Sequence, residues 1–235
     1  MKTKIQILAL LAVLIGTASC TSCRVNTWKV SVATAEEQRD LRGFERIELL
    51  GSLDVRYQQA DSFSVVVKAP SKYLDDVETR VDSNRLIVRM KGDGKIIHFG
   101  VSDGDHVTVY VTSPDLIGVD LRGSGDFSCE NHLDTDQLDI KLNGSGDIDF
   151  DDVICDAVNV EVVGSGDVKV KNIETQAANL SLVGSGDIKM AFQRSGKVKA
   201  SLVGSGDIEL SGEVHAMEQT KRGSGDIETG KLIVR

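Results

Sequence analysis

The chain has little of what most enzymes, nucleic-acid binders and membrane-spanning proteins display. Among its 235 residues are one tryptophan, three tyrosines and six phenylalanines, too few to offer many flat platforms for sugar rings. Four histidines, at 98, 106, 132 and 215, are scattered and never fall at the His-x-x-x-His spacing of a metal site. Ser124 and its equivalents, Ser145, Ser165, Ser185, Ser205 and Ser224, sit between glycines but not in a Gly-x-Ser-x-Gly nucleophile elbow. Four cysteines do not make a disulfide framework. Basic residues are the minority, 27 against 36 acidic, with no basic stripe, which argues against nucleic acid as a partner. Apolar residues at three-and-four spacing are also absent, apart from a short turn around Ser71 to Val77, so long helices are excluded. Two prolines, 23 glycines and alternating runs of valine and isoleucine point instead to strands joined by many turns.

The one long apolar stretch, Ile5 to Ile15, is too short to span a bilayer as a helix and follows a small basic region, Lys2 and Lys4. Residues 1–19 therefore read as a signal peptide. The small residues Thr17, Ala18 and Ser19 precede Cys20, an arrangement that resembles a bacterial lipoprotein signal with the lipid on the Cys20 sulfur. Thr17 stands where such signals usually carry leucine, and Cys23 is a second nearby thiol; cleavage to a soluble secreted chain is the alternative. Loss of residues 1–19 removes two lysines, leaving 25 basic against 36 acidic side chains, a net charge of −11. Residues 20–40 read as the lipidated N-terminus and a polar tether, and the expected location is the outer membrane, facing the periplasm or the surface.

The strongest signal is a repeat. Gly-Ser-Gly-Asp occurs six times, from Gly123, Gly144, Gly164, Gly184, Gly204 and Gly223, at spacings of 21, 20, 20, 20 and 19 residues. A fixed period of this length marks a solenoid. Positions one and three after the aspartate are apolar in the first five copies (Phe127 and Cys129 through Ile208 and Leu210), as are positions two and four before the first glycine. Period two on both sides of the word means strand, corner, strand, with one face inward. The glycines, Gly123, Gly125, Gly144, Gly146, Gly164, Gly166, Gly184, Gly186, Gly204, Gly206, Gly223 and Gly225, suit a corner that enters positive φ. The aspartates, Asp126, Asp147, Asp167, Asp187, Asp207 and Asp226, are expected to accept hydrogen bonds from turn N–H groups. In the sixth copy Gln219, Lys221 and Thr229 replace apolar residues, which suits a terminal cap. Gly51-Ser52-Leu53-Asp54-Val55 looks like a decayed copy of the word, and residues 41–118 read as a less regular β part ahead of the regular repeats at 119–235. The expected fold is all-β, a β-solenoid or parallel β-helix; a meander of antiparallel hairpins is the competitor, but it would not demand so strict a period. Cys129 occupies an inward column and reads as a small buried residue, with pairing to Cys155 as the alternative.

These features together resemble the auto-transporter adhesin head domain family, the head GIN domain, found largely in exported proteins of Bacteroidetes-type bacteria. The resemblance rests on Phe44-Glu45-Arg46-Ile47-Glu48 ahead of Gly51-Ser52-Leu53-Asp54-Val55, on Leu86-Ile87-Val88, and on the Gly-Ser-Gly-Asp words from Gly123 to Ile227, and it spans residues 43–230. It implies a β-helix-like fold and an adhesive or surface-interaction role, and it carries no binding residues with it.

Chemistry is sparse. One carboxylate per coil falls short of the six to eight oxygens that Ca²⁺ takes, so no metal or other cofactor is expected. A polysaccharide-acting β-helix enzyme is the rival from another class, but no cluster of carboxylates and basic residues departs from the repeat. The residue before each word reads Arg122, Asn143, Val163, Val183, Val203, Arg222; alternation turns this column outward and makes Val163, Val183 and Val203 a candidate contact strip for protein, glycan or a second copy. A structural or signalling-associated envelope role is the alternative to adhesion. If the membrane contact is the lipid, Cys20→Ala releases the protein from membrane fractions and abolishes palmitate labelling; labelling that persists until Cys23 is also changed moves the anchor to Cys23.

Overall fold

The computed structural model describes residues 33–92 and 106–235; the signal peptide, Cys20, Cys23 and His98 lie outside them. The described residues form β1 (Thr34–Arg39), β2 (Arg46–Gly51), β3 (Asp54–Gln59), β4 (Ser64–Pro70), a 3-10 turn (Leu74–Asp76), β5 (Val77–Asp82), β6 (Arg85–Met90), β7 (Thr108–Ser113) and β8 (Gly118–Gly123). Five long strands follow, β9 (Phe127–Gly144), β10 (Ile148–Gly164), β11 (Val168–Gly184), β12 (Ile188–Gly204) and β13 (Ile208–Gly223), and then β14 (Ile227–Val234). Pairing from β8 through β14 is parallel throughout, which rules out the hairpin meander.

Each long strand is most of one coil of a β-solenoid. Its inward residues do not keep period two throughout. In β9 they are Phe127, Cys129, Leu133, Thr135, Leu138, Ile140 and Leu142. The period slips between Cys129 and Leu133 and again between Thr135 and Leu138, so a coil has three sides and bends twice besides the Gly-Ser-Gly-Asp corner. The inward columns repeat down the stack, for example Phe127, Ile148, Val168, Ile188 and Ile208, all essentially without solvent contact. Full burial of such a side chain contributes about 1.5–3 kcal/mol. Tyr57, Phe127 and Phe150 stack successively, with ring centres 6.3 and 5.3 Å apart.

The corner is the tightest contact between coils. The N–H of each word's serine donates to the carbonyl of the preceding coil's first glycine at 2.8–2.9 Å. The first glycine of all six words has φ between +131° and +148°. At the second glycine the restriction is steric: a Cβ on Gly186 would lie 2.0 Å from the Gly166 carbonyl oxygen, and one on Gly206 would lie 1.8 Å from that of Gly186. These contacts all point toward the preceding coil. Gly51-Ser52-Leu53-Asp54 is the first corner of the same stack: Arg46–Gly51 pairs with Gly118–Gly123, and Val55–Tyr57 with Phe127–Cys129. No described corner precedes it, so Leu53 keeps its side chain, fully buried, where every later coil needs glycine. The imperfect copy is thus the beginning of the stack.

Beyond that first corner the sheet divides. One branch continues from β2 to β6 in parallel and to β5 antiparallel; the other runs from β3 to β7 in parallel, then β4 and β1 antiparallel. Residues 34–39, placed by sequence in the polar tether, are therefore a strand: β1 pairs over its full length with residues 65–70 of β4. Its polar alternation marks it as an edge strand with one wet face. Cys129 and Cys155 are both buried and unpaired, in different columns of the coil.

Two glycine substitutions check the corner geometry. Gly186→Ala lowers stability by about 3 kcal/mol, the upper range for overpacking a site with no room to give. Gly230→Ala, where a Cβ meets nothing within 4 Å, stays within about 0.5 kcal/mol of wild type. Urea titration followed by circular dichroism reads both.

Candidate interaction surface

The aspartate column does not form the local turn expected from sequence. Each carboxylate reaches to the next coil. Asp54 Oδ1 accepts from the Asp126 N–H, Asp126 from Asp147, Asp147 from Asp167, Asp167 from Asp187, Asp187 from Asp207 and Asp207 from Asp226, at 2.8–3.2 Å. Coil stacking brings the next aspartate's N–H within reach, and that bond offsets repulsion between stacked carboxylates. At the first rung, burial pushes the Asp54 carboxyl above its ordinary range. At the last described rung, Lys221 Nζ donates to Asp226 Oδ1 at 2.7 Å. Lys221 takes the column position that Leu202 holds one coil earlier, so the polar break in the sixth repeat ends both the core and the ladder. Among the described residues, no group of three or more His, Cys, Asp or Glu side chains is arranged to hold a metal ion.

The side of the coil that leads into the word presents three outward columns. The first is Asp139, Asn159, Asn179, Lys199 and Glu218. Asn179 Nδ2 donates to Asn159 Oδ1 at 3.0 Å, and Asn159 Nδ2 to Asp139 Oδ1 at 2.9 Å. Burial favours the neutral form of Asp139, but hydrogen bonds from Asn159, Arg46 and Gln137 outweigh it and hold its carboxyl below the usual range. This amide ladder was missed in reading the sequence, although its members lie five residues before successive words. Aligning the repeats on their first glycine would have shown it. The second column is Lys141, Glu161, Ser181, Ser201 and Thr220, and between the two lies a shallow groove of about 440 Å³.

The third column is the valine strip. Val163 pairs with Val183 and Val183 with Val203, in register, between Asn143 on one side and Arg222 on the other. The three are 39%, 43% and 42% exposed, as outward alternation requires, and none of the described N-terminal strands covers them. Arg122, at the far end of the column, is tied down by Asp120 at 2.7 Å. His132 meets Asp152 at 2.6 Å on another side of the coil, well exposed and, among the described residues, without a nucleophile partner.

A stack of parallel coils, closed by hydrogen bonds at glycine corners and presenting regular outward columns, is a β-solenoid scaffold. The family model described as "putative auto-transporter adhesin, head GIN domain" matches residues 43–171 and 159–235. The chain belongs to that family. Its fold is similar to that of a putative adhesin from Bacteroides fragilis NCTC 9343, with TM-score 0.68 and 24% identity over 83% of this chain and 96% of the other. A putative adhesin from Parabacteroides merdae ATCC 43184 gives TM-score 0.56 at 19% identity, covering 83% and 95%. A putative lipid binding protein from Parabacteroides distasonis ATCC 8503 gives 0.54 at 20%, covering 86% and 97%. At these identities the likeness is one of fold. No curated protein matches the chain.

The ladder has a directional test. Asp187→Ala leaves the Asp207 N–H without its acceptor and costs about 1–2 kcal/mol, whereas Asp187→Asn keeps an acceptor oxygen and costs less. Asp226→Ala, which loses only an exposed ion pair, costs under about 1 kcal/mol. Calcium chelation leaves all three melting temperatures where they were; a large drop on chelation would show that the column holds a cation.

Proposed function

We propose that this protein is a non-enzymatic, exported interaction head, held to the cell envelope through a lipid on Cys20, that binds its partner on the side carrying the valine strip. The carrying observation is three valines stacked in register and left in solvent, in a family described by adhesion. The adjoining columns supply amides and small hydroxyls, so the face offers an apolar contact beside regularly spaced hydrogen-bonding groups. That combination suits an extended protein segment or a glycan. No helix of the described residues is long and apolar enough to cross a membrane, which fits a lipid as the anchor.

The magnitudes allow a contributing contact. Three valines at β spacing can remove roughly 200 Å² of apolar area from water, on the order of 5 kcal/mol before the cost of association. This assists binding without making it tight on its own. Val163→Thr, Val183→Thr and Val203→Thr combined keep the β propensity and approximate shape while making the strip polar. The triple variant is expected to fold with wild-type circular dichroism and to lose partner capture from envelope extracts. Unchanged capture places the partner elsewhere. In parallel, a polysaccharide depolymerisation assay is expected to show no turnover, and turnover would return the protein to the enzyme class.

A further inference from the structure

The two ends of the stack are finished differently. At the first end the sheet divides into short strands, and the outermost, β1 and β5, pair antiparallel with β4 and β6. At the other end β14 covers only Ile208–Val214 of β13, and among the described residues no strand pairs with the outer edge of residues 217–223. An unpaired edge of seven residues is a template for another strand. We infer that this edge pairs with the same edge of a second copy of this chain, antiparallel, about a twofold axis at Thr220.

The order of residues along the edge selects this partner. Glu218, Thr220 and Arg222 point outward, on the face that carries the valine strip, while Gln219 and Lys221 follow the inward columns. Antiparallel pairing about Thr220 sets Glu218 opposite Arg222 of the second copy, and Arg222 opposite its Glu218. Opposite charges facing across antiparallel strands stabilise the pair, and like charges oppose it. A parallel pairing in register would set Glu218 against Glu218 and Arg222 against Arg222. A strand of unrelated sequence would have to meet a lysine and an arginine at the edge, the usual protection against indiscriminate pairing.

The local interactions leave the edge ready for this contact. Lys221 is occupied by Asp226 within its own chain. Arg222 makes no ion pair among the described residues. Glu218 is held by Lys197, but its second oxygen stands 3.8 Å from Lys199, which leaves room for a guanidinium. Ile233 and Val234, on the same terminal coil, are 50% and 55% exposed, apolar area that an end-to-end contact can cover.

The first corner of another copy is not open to this edge: β2 is already paired with β6 and β3 with β7, and Leu53 would bring a Cβ to the second corner position, where it lies about 2 Å from the carbonyl above it, as at Gly225 against Gly206. A pair in the reversed direction closes after two copies without forming a filament. Such a pair would continue the outward columns of one copy into those of the other. The inference does not depend on the valine strip, and the Val→Thr triple variant should pair like wild type.

Sedimentation velocity of the full chain in detergent tests it. Wild type is expected to sediment as a dimer. Arg222→Glu and Glu218→Arg each place like charges opposite one another and should weaken the dimer at least tenfold. Mixing the two variants in equal amounts sets an acidic edge against a basic one, so that both cross-strand contacts join a glutamate to an arginine, and should restore a heterodimer. Should Glu218→Arg fail to fold beside Lys197 and Lys199, Arg222→Glu and Arg222→Gln decide the matter: both must weaken the dimer, the glutamate more. A wild-type chain that stays monomeric at every concentration leaves the edge to a different protein and overturns the proposal. So does a dimer indifferent to Arg222, or a mixture of folded variants that stays monomeric.

Discussion

One contact governs the architecture: the approach of each corner backbone to the corner before it. Serine N–H to glycine carbonyl hydrogen bonds of 2.8–2.9 Å draw successive corners together so closely that no Cβ fits at the second glycine. The flanking strands are thereby held in register, which brings identical positions of successive coils above one another. Register then decides everything else. It stacks the apolar columns into a continuous core, aligns the aspartates so that each carboxylate meets the next N–H, and sets the outward columns in straight lines. A solenoid with looser corners could keep its core, but its outer columns would not line up.

Much of this was legible in the sequence. The period, the inward positions on both sides of the word and the outward valines follow from counting, because alternation in a strand leaves little freedom. The three-sided coil was harder to see. Its other two bends are made by ordinary residues, as between Cys129 and Leu133, and no single residue type marks them. The carboxylate ladder was hidden for a different reason: an aspartate beside a tight turn also suits a local hydrogen bond, and only the distance between coils decides which N–H is nearer. β1 was hidden because an edge strand with a wet face reads as polar tether. The amide ladder and the Lys221–Asp226 pair could have been found by aligning the repeats column by column, since both depend on position within the coil.

The two ends show how one rule yields different residues. The corner contact points backward, toward the preceding coil. The first corner therefore tolerates Leu53, while the last, Gly223-Ser224-Gly225, keeps both glycines although no corner is described beyond it. The aspartates point the other way: Asp54 already serves the coil after it, and Asp226, at the last described corner, is met by Lys221 instead. Departures from the repeat at the ends are thus consequences of direction. In the middle of the stack the inside is fixed by packing, and the outside is free to carry charges, amides or valines at little cost to the fold. This separation of core and surface makes the side with the valine strip available for recognition.

The backward-pointing corner also makes the stack a ruler. A coil between the first corner and the last asks only for glycine in the right places and for inward residues of ordinary size, so whole coils can be duplicated or deleted there without disturbing either end. Small errors of length have a place to go. The one extra residue between the first two words is taken up between Cys129 and His132, where the register with β10 shifts by one, and the register between β12 and β13 shifts by one between Phe192 and Ser195, just past the column of Leu133. Both shifts fall in the same part of the coil, away from the glycine corner. Each added coil would move the terminal edge about 4.8 Å further from the first corner, so the reach of such a head is set by copy number and its chemistry by the columns on its sides, two quantities that mutation can change independently.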